Sequence, residues 1–590
     1  MCSTSTVIGF KNMNLHTLLL NKFSAALAAI GAPENSPAPL SRATRVGFGD
    51  YQFNGAMALA KVLKLKPRDI AEKIVEAVQL DGIAEKLEVA GPGFINIYLS
   101  KPWLAGQLAN AAADTRLNIE AQPSKTVVVD YSSPNLAKEM HVGHLRTTII
   151  GDAVVKALEF MGHNVIRQNH MGDWGTQFGM LLAHLNDKLK ADQVAETALS
   201  DLEDFYREAK VRFDEEEGFA DRARDYVVKL QGGDSHCLAL WQNFIDVSIT
   251  HSEEVYHKLN VSLTRDDIMG ESAYNDDLAN VVRELQAQGL AVTSQGAQVV
   301  FIPELADKEG NPAAYIVQKS GGGYLYATTD LAAIRHRCGT LHADRTLIMT
   351  DARQALHFKQ TEIVARKAGF IAPEQTYEHC PFGMMLGNDG RPFKTRTGGT
   401  VKLVELLDEA VERAEALLSK RETDLSAQAL KVLANKIGIG AVKYADLSKN
   451  RTTDYMFSWD SMLSFEGNTA PYLQYAYTRV MSIFRKAGVD HLTLNAPITL
   501  DASQEKLLAV KQLQYVEAIN QVIAEGTPHV LCTYLYELAS LFMSFYEACP
   551  MLKDGIAQDV RDSRMTLAAL TAKTLQSGLG LLGIETMDRM

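Results

Sequence analysis

The sequence has few cysteines and no long apolar segment. Its 6 cysteines are scattered over 590 residues without a CxxC pair, so neither a disulfide framework nor a zinc site is expected. The most apolar stretch, residues 529–546, contains Glu537 and several hydroxyl groups, which favours a buried helix over a membrane span. The N-terminus has no basic segment followed by an apolar one, so we expect no signal peptide. These absences predict a soluble, cytoplasmic protein without a membrane partner.

An excess of basic residues is also absent. The chain carries 59 lysines and arginines against 71 aspartates and glutamates, which gives a net charge of −12. Residues 196–225 hold 11 acidic and 5 basic side chains, a net −6 that is half of the whole imbalance. The composition therefore gives no sign of DNA binding, and any polyanionic partner would need a locally basic surface.

The first region of the chain mixes helical and strand patterns. Residues 13–115 combine a helical pattern at 13–30, a loop with three prolines, a second helical stretch at 70–80 and the alternating segment GFINIYL at 93–99. This mixture predicts an N-terminal α+β domain.

Residues 122–400 have the pattern of an α/β domain. TVVVD at 126–130 is typical of a buried strand, a helix is predicted over 143–161, and another strand is predicted over 164–168. Four further apolar runs follow, which are VVFIP at 299–303, YLYATT at 324–329, RTLIMT at 345–350 and FGMML at 382–386. Strands that alternate with helices predict a Rossmann-like parallel sheet covered by helices. The acidic block predicts a helical insertion at about 185–265.

The last third of the chain is predicted to be all α. Helical periodicity begins at about residue 401 and continues to TLAALTAKTLQSGLGLLGI near the end. We expect a helical connecting region at 401–455 and an α-helical C-terminal domain at 456–590.

The strongest chemical signal lies where the first strand of the α/β domain, a loop and the first helix meet. There the motif HVGH places His141 and His144 on either side of Gly143. Free amides and the macrodipole at a helix N-terminus attract phosphate, glycine permits close approach, and imidazoles can donate to phosphoryl oxygens. The pattern indicates a nucleotide site, although HxGH pairs also occur by chance.

Five separated segments make this interpretation specific. They are SPNLAKEMHVGHLRTTIIGD, NHMGDWGTQFGM, TDARQALHF, MLGNDGRPFKTRTGGTVKL and NTAPYLQYAYTR. HVGH matches the HIGH signature of class I aminoacyl-tRNA synthetases, and the five segments resemble, in order, those of bacterial-type arginyl-tRNA synthetases. The resemblance spans nearly the whole chain. It implies that residues 122–400 are the catalytic domain, that the N-terminal domain contacts tRNA, and that residues 456–590 bind the anticodon.

The resemblance implies an ATP-dependent arginine–tRNA ligase that acts as a monomer. In its reaction the carboxylate of L-arginine attacks the α-phosphate of ATP, which enters with Mg²⁺. The arginyl group then passes to the 3′-terminal adenosine of the arginine tRNA. By the resemblance His141, Gly143 and His144 bind ATP, and the two histidines are catalytic because they stabilise charge on the departing pyrophosphate. No tightly bound, protein-ligated metal is expected.

The resemblance also implies an arginine pocket. Asp330 is expected to pair with the guanidinium group, supported by Tyr326 and Gln354, while Asp130 and Asn135 bind the α-amino and carboxylate end. A carboxylate suits this role because a guanidinium group pairs with it through two hydrogen bonds. Tyr326 and Asp330 are four residues apart, so a helical turn there would place both on one face. Alternatively, Asp330 is the N-cap of the helix that follows it.

The second class I signature, the lysine-rich KMSKS loop, is degenerate in this chain. In GRPFKTRTGG the first lysine position holds Pro392, and Lys394 and Arg396 are left as cations that can reach phosphate. The resemblance implies that Lys138 compensates for the missing lysine, so Lys138, Lys394 and Arg396 are predicted catalytic residues and Lys394 also an ATP ligand. The alternative for this segment is an ordinary basic loop. His357 is predicted to touch ATP, with an ordinary surface or core histidine as the alternative.

Aromatic and basic residues are interleaved in TAPYLQYAYTRVMSIFRK of the C-terminal domain. Aromatic side chains stack on splayed bases and cations meet phosphates, so Tyr472, Tyr475 and Arg479 are predicted to contact tRNA. Tyrosines at helical spacing are also common in cores, so we expect only some of them to touch RNA. In the N-terminal domain, Tyr51 and Gln52 of FGDYQFN are predicted tRNA contacts by the resemblance.

Two other interpretations are open. Another class I synthetase or a related adenylyl transferase would share HVGH, but the acidic residues of the expected pocket and the long C-terminal domain argue against it. A paralogue without catalytic activity would bind only tRNA or partner proteins. The presence of His141, His144 and Asp330 argues against that interpretation.

Overall fold

A computed structural model describes residues 14–43, 47–190, 199–393, 401–420 and 425–590. Two of the predicted site residues, Lys394 and Arg396, lie outside these ranges. Within them, no helix combines the length and the apolar character needed to cross a bilayer. The cysteines of this part of the chain are buried and unpaired.

The N-terminal region is an antiparallel sheet packed against helices. Its elements are α1 (Leu15–Ala29), β1 (Leu40–Arg42), β2 (Tyr51–Phe53), α2 (Ala56–Leu63), α3 (Pro67–Ala77), β3 (Ala84–Ala90), β4 (Phe94–Leu99) and α4 (Lys101–Ala113). The strand order is β1-β2-β4-β3. The Asn14 side chain caps α1 by accepting from the Thr17 amide, and the rings of Phe23 and Phe53 stack at 4.5 Å between helix and sheet. The predicted α+β character is confirmed.

The central region is built around a parallel sheet. Its elements are β5 (Thr126–Asp130), α5 (Gly143–Phe160), β6 (Asn164–Gln168), α6 (Gln177–Lys190), α7 (Leu202–Glu215), α8 (Phe219–Gln231), α9 (Ser235–Lys258), α10 (Asn275–Ala287), β7 (Ala291–Ser294), β8 (Ala297–Ile302), β9 (Ala313–Gln318), α11 (Tyr326–Arg335), β10 (Arg345–Ile348), α12 (Ala355–Lys367), β11 (Thr376–His379) and β12 (Met385–Leu386). The order β11-β10-β5-β6 is parallel throughout. Valines 127–129 of the central strand β5 are buried, as expected for a strand covered on both faces.

Three of the four further apolar runs lie outside the parallel sheet. FGMML contains β12, which pairs with residues 455–456 in a separate two-stranded sheet. VVFIP belongs to β8, which pairs antiparallel with β7 and β9 in a separate three-stranded sheet. YLYATT is no strand, because α11 begins within it at Tyr326. Its aromatic and β-branched residues suggest a strand, but the Thr328 hydroxyl donates to the Val317 carbonyl and the Leu325 amide donates to Thr328 Oγ1, which starts the helix. The last strand of the parallel sheet, β11, was not predicted.

The acidic block does form helices, as predicted. Asp201 caps α7 by accepting from the Asp204 amide, and α7, α8 and α9 pack around α6. A second hydrophobic core lies between α10, the β7-β8-β9 sheet, α11 and α12. The insertion and this second core flank the carboxyl edge of the parallel sheet.

The C-terminal region is almost entirely helical. Its elements are α13 (Leu403–Leu418), α14 (Ala427–Leu447), β13 (Tyr455–Met456), α15 (Trp459–Met462), α16 (Ala470–Ala487), α17 (Ser503–Leu513), α18 (Tyr515–Glu525), α19 (His529–Ala548) and α20 (Gln558–Leu581). The two-residue strand β13 pairs with β12 of the central region. This architecture confirms the predicted multidomain α/β fold with an all-α C-terminal part.

Helix α5 passes close to the strand that precedes it. A Cβ atom at Gly151 would lie 2.3 Å from the Cβ of Tyr131, so only glycine fits there without a shift. Both residues are buried. This close approach fixes the depth at which α5 packs and with it the position of its N-terminus at the sheet edge.

Candidate functional site

The HVGH motif forms the N-terminus of α5, as predicted. The backbone amide of Gly143 donates to Nδ1 of His141 at 3.0 Å, and the amide of His141 donates to Nδ1 of His144 at 3.1 Å. The two imidazole rings lie 4.1 Å apart. A Cβ at Gly143 would lie 2.7 Å from the His141 ring, so the glycine is needed for the ring to fold back over the turn.

These contacts fix the chemical state of both histidines. Because each Nδ1 accepts from an amide, a neutral ring carries its proton on Nε2. Burial first, and then the neighbouring His141 ring, lower the pKa of His144 to about 3. Burial also lowers the pKa of His141. Both rings are therefore neutral at pH 7 and offer Nε2–H as a donor.

The first amides of α5 are not free, contrary to the expectation from the motif. The amide of Gly143 is bound to the His141 ring, and the amide of His144 donates to the His141 carbonyl at 2.8 Å. The donors left for a ligand are therefore the imidazole Nε2–H groups. The helix macrodipole still adds a positive potential at this end.

The HVGH segment is paired with the chain that follows the basic loop. The amide of Val142 donates to the Val401 carbonyl at 3.1 Å, and the amide of Leu403 donates to the Met140 carbonyl at 2.9 Å. On the other side of the loop, the amide of Phe393 donates to the Met385 carbonyl at 3.0 Å. The chain from Val401 onward therefore lies beside the histidines, while Lys394 and Arg396 are outside the described residues.

Lys138 precedes the HVGH motif in the chain, and its side chain is exposed. Its ammonium group lies 4.2 Å from the ring centre of Tyr206 on α7. A cation held over an aromatic face keeps its charge and its donors. The structure thus places Lys138 between the helical insertion and the histidine pair, and its predicted role on phosphate stays a prediction.

Asp130 lies at the carboxyl end of β5 but is bonded within the protein. Its Oδ2 lies 2.6 Å from Nη2 of Arg337, and its Oδ1 accepts from the Ser133 hydroxyl at 2.7 Å. Asp130 is 5% exposed. Its carboxylate therefore organises the loop after β5, where Ser132 and Ser133 have left-handed φ angles of 69° and 48°. Direct binding of arginine by Asp130 stays a prediction.

Asn135 is exposed at the end of that loop. Its Oδ1 accepts from the Ala137 amide at 2.9 Å and from Nε2 of Gln177 at 3.1 Å. Residues 134 and 136 pair through their backbone with Gly172, so the GDWG segment borders the same edge.

A cavity of about 410 Å³ lies beside this edge. Its wall includes Trp174, Gly175, Glu271, Tyr326 and Thr329. Tyr326 is the first residue of α11 and is 70% exposed, so its ring stands at the cavity. The N-cap of α11 is Leu325, which makes the alternative of Asp330 as an N-cap wrong.

Asp330 lies one turn after Tyr326 on α11 and has a histidine partner. Its Oδ2 is 2.5 Å from Nε2 of His357, which is on the first turn of α12. Gln354 is exposed in the short turn before that helix. The structure thus brings His357 to the side of the site where arginine is expected, and its contact with ATP stays a prediction.

Sequence reasoning missed Glu271. This residue is in a short 3₁₀ turn after β6 and the insertion, packed against α11. Burial first, and then the negative charges of Asp173 and Asp330, raise the pKa of its carboxyl group to about 8. A lone acidic residue in a loop carries no motif, so no sequence signal could have found it.

The residues predicted to contact tRNA have different surroundings. Tyr51 is fully buried and its hydroxyl donates to Glu517 at 2.5 Å, so its predicted RNA contact is wrong: it is a packing residue between the N-terminal and C-terminal regions. Gln52 donates to Asn96 on the sheet at 2.8 Å. In α16, Tyr475 is 38% exposed, and the guanidinium group of Arg479 lies 5.1 Å from the Tyr546 ring.

Tyr472 is half-buried, and its ring packs 5.6 Å from that of Tyr536. Tyr477, also in the aromatic stretch, is 2% exposed and belongs to the core. The mixture of exposed and buried tyrosines along one helix follows from its packing against α19 and α20. Contacts of Gln52, Tyr472, Tyr475 and Arg479 with RNA stay predictions.

Three regions of the chain match known protein families. Residues 107–459 match the family described as tRNA synthetases class I (R), catalytic domain. Residues 17–99 match the arginyl tRNA synthetase N terminal domain, and residues 473–590 match the DALR anticodon binding domain. These three matches follow the order of the regions in the chain.

Relatives are similar over almost the whole length. The arginine–tRNA ligase of Pseudoalteromonas atlantica is 93% identical, over 98% of this chain and 100% of the relative, and that of Alteromonas mediterranea is 76% identical over the same shares. The crystal structure of arginyl-tRNA synthetase from Plasmodium falciparum superimposes with a TM-score of 0.85 at 29% identity, over 98% of this chain and 100% of that one. The chain therefore belongs to the arginyl-tRNA synthetase family of class I aminoacyl-tRNA synthetases.

Proposed function

We propose that this arginine–tRNA ligase binds the phosphates of ATP at the His141–His144 pair and arginine in the cavity beside α11. The chain is an ATP-dependent aminoacyl-tRNA ligase for arginine. The observation that carries the assignment of the ATP side is the pair of neutral imidazoles at the N-terminus of α5, each with Nδ1 bound to an amide.

Activation of arginine needs electrostatic help more than acid–base chemistry. An oxygen of the arginine carboxylate attacks the α-phosphorus of ATP, and the bond from that phosphorus to the pyrophosphate oxygen breaks. Negative charge then grows on the pyrophosphate. Two fixed Nε2–H donors at a helix N-terminus stabilise that charge without having to reorient. Because His144 stays neutral above about pH 3, it acts as a donor of a hydrogen bond and not as a proton-transfer group.

Mg²⁺ enters with ATP as part of the substrate complex in this proposal. No group of three His, Cys, Asp or Glu side chains that could hold a metal occurs in the part of the chain the structure describes. Lys394, Arg396 and Lys138 supply further cations toward the phosphates. The pairing of residues 401–403 with the HVGH segment supports this placement.

The guanidinium group of arginine is bound by two carboxylates, Asp330 and Glu271. Asp330 is on α11, and the pKa of Glu271 is raised by burial first and then by the negative charges of Asp173 and Asp330. A bound cation favours the ionised form of Glu271, whereas a neutral side chain such as that of citrulline leaves Glu271 without a charged partner. Tyr326 lines the cavity, Gln354 supports the guanidinium group from the turn before α12, and Asp130 and Asn135 shape the loop at the amino-acid end.

The acyl acceptor is the 3′-terminal adenosine of the arginine tRNA, and RNA contacts come from Gln52, Tyr472, Tyr475 and Arg479. The ligase acts as a monomer in the cytoplasm, with neither DNA nor a membrane as partner. The buried, unpaired cysteines of the described chain support a reducing compartment.

Pyrophosphate exchange into ATP tests the function directly. It is measured with each of the twenty amino acids, with and without total tRNA. Exchange with arginine alone supports the arginine pocket. Exchange with a different amino acid would overturn that pocket, and none at all despite tight tRNA binding would overturn the catalytic assignment.

Two substitutions separate the two halves of the site. Asp330→Ala should raise the KM for arginine by about tenfold or more, because a buried guanidinium would lose a charged partner.

His144→Ala should lower kcat by about 10²-fold with little change in the KM for arginine, because its donor acts on charge that develops in the transition state. Asp277→Asn, which alters an acid paired with Arg335, is the matched control and should change neither constant. A pure KM effect of His144→Ala would contradict the proposal.

A further inference from the structure

Arg146 is a buried cation close to the histidine pair that the mechanism above does not use. It lies two residues after His144 on α5, and only 2% of its side chain is exposed. A guanidinium group so deeply buried needs charged or polar partners, because an unpaired charge in the interior is strongly destabilising. The partners of Arg146 therefore show which parts of the chain it connects to α5.

The partners of Arg146 come from two other parts of the chain. Its Nε lies 3.1 Å from Oδ2 of Asp446, a fully buried residue near the end of α14. Its Nη1 donates to the carbonyl of Thr453 at 3.0 Å. The guanidinium group also lies 5.2 Å from the ring centre of Tyr455, within the range of a cation–π contact.

The segment that holds Thr453 and Tyr455 continues into the support of the basic loop. The amide of Tyr455 donates to the Met384 carbonyl at 3.1 Å, and that of Phe457 donates to the Leu386 carbonyl at 2.8 Å. These bonds form the β12–β13 pair. Residues 385–393, which we call the loop stem, are closed by the bond from Phe393 to Met385. Arg146 therefore joins the helix of HVGH to the loop stem through one intervening segment.

Stability alone does not explain this arrangement. Replacing a buried ion pair by apolar side chains of similar volume is often neutral or stabilising, because desolvation offsets the attraction between the charges. Within the described residues, Nη2 of Arg146 is buried without a hydrogen-bond partner, which is itself unfavourable. The planar guanidinium group does provide geometric specificity, because its hydrogen bonds fix the orientation of two chain segments relative to α5.

We propose that Arg146 is a positioning residue for the activation step: through Asp446 and Thr453 it holds the loop stem in register with His141 and His144. It touches neither substrate nor the reacting atoms. Its effect is on the position of the loop stem relative to the imidazole donors of His141 and His144. The inference rests on the proposed function, since it assumes that ATP phosphates lie at the histidine pair.

The experiment uses two variants. Arg146→Lys keeps the positive charge but lacks the planar guanidinium group, and Asp446→Asn keeps the side-chain shape but lacks the negative charge. Both are assayed by pyrophosphate exchange in the full-length protein with tRNA present, and rates are normalised to the folded fraction measured by circular dichroism. We expect kcat to fall about tenfold to hundredfold, since misplacing catalytic groups by an ångström has effects of this size. The KM for arginine should stay within about twofold of the parent value.

Glu505→Gln is the matched control, because Glu505 is another buried acid, paired with Arg564 at 2.8 Å in the C-terminal region. It should lower the melting temperature and leave kcat unchanged. The proposal is overturned if Arg146→Lys and Asp446→Asn keep kcat within about twofold of the parent value. It is equally overturned if neither variant folds while Glu505→Gln does, because the pair would then be a stability element. Full activity of His144→Ala would instead refute the proposed function.

Discussion

Glu271 is a carboxyl group whose proton affinity depends on its neighbours. Its pKa of about 8 results from burial first and from the charges of Asp173 and Asp330 second. A guanidinium group binds the ionised form, so the arrival of arginine lowers the pKa and releases a proton when the pH is below about 8. We therefore expect the affinity for arginine to rise with pH up to about 8 and to level off above it. Calorimetry in buffers of different ionisation enthalpy measures both quantities.

Glu271→Gln serves as the control for this residue. It removes the titrating group and keeps the shape, so arginine should bind more weakly, with no proton released and no dependence on pH near 7. Proton release that is unchanged in this variant would assign the titration to a different group. The result does not depend on turnover, so it tests the pocket separately from the histidines.

At the scale of elements, α5 positions the two histidines, because its close packing prevents the helix from shifting. Gly151→Ala would place a methyl group 2.3 Å from Tyr131 Cβ, and either the helix or the end of β5 must move. We expect a melting temperature lower by about 2–6 °C, as overpacking commonly destabilises by about 1–3 kcal/mol. We also expect kcat to fall, because the histidines are on the same helix.

Gly106→Ala is the control for α5, since Gly106 is on α4 with no atom within 4 Å of its added Cβ. There alanine should leave kcat unchanged and stabilise the protein slightly, because it favours the helix over the unfolded chain. Melting curves and pyrophosphate-exchange rates of the Gly151→Ala and Gly106→Ala variants test this prediction. Equal melting temperatures for the two alanine variants would show that the contact at Tyr131 is not tight.

At the scale of the whole molecule, α18 connects the three regions. Glu517 near its start accepts from the His16 amide, from Nε and Nη2 of Arg42 and from the Tyr51 hydroxyl, all in the N-terminal region. At its other end, carbonyls of residues 523–526 accept from Arg345 and Arg451. Cations at a helix C-terminus satisfy its free carbonyls and its dipole. One helix thus fixes the N-terminal region relative to the parallel sheet.

Glu517→Ala should loosen the N-terminal region without altering the active site. It removes the carboxylate that accepts from the buried Tyr51 hydroxyl and from Arg42, which is destabilising for that contact. Faster hydrogen exchange in β1 and β2 and a higher KM for tRNA are expected, with an unchanged KM for arginine. Glu525→Gln, an exposed acid on the same helix, should change none of these. Unchanged exchange in Glu517→Ala would show that other contacts hold the region.

Local patterns in the sequence predicted much of the fold. The valine run of β5, the helix from Gly143 and the helical C-terminal third all depend on neighbours close in the chain, so periodicity and capping are enough to find them. YLYATT was misassigned because its composition suits a strand, while the hydroxyl contacts that start α11 involve Val317 on another element. Composition alone cannot represent such a contact.

The sequence by itself determined the order of the three regions, the HVGH helix and the types of residue that the chemistry requires. Only the tertiary structure decided which groups meet. Glu271 joins Asp330 and Arg146 joins Asp446 across long stretches of chain, and Tyr51 is buried against Glu517. The physical reason is that periodicity and capping act between near neighbours in the chain. Burial, charge pairing and pKa values depend on distances in space, which exist only once the chain is folded.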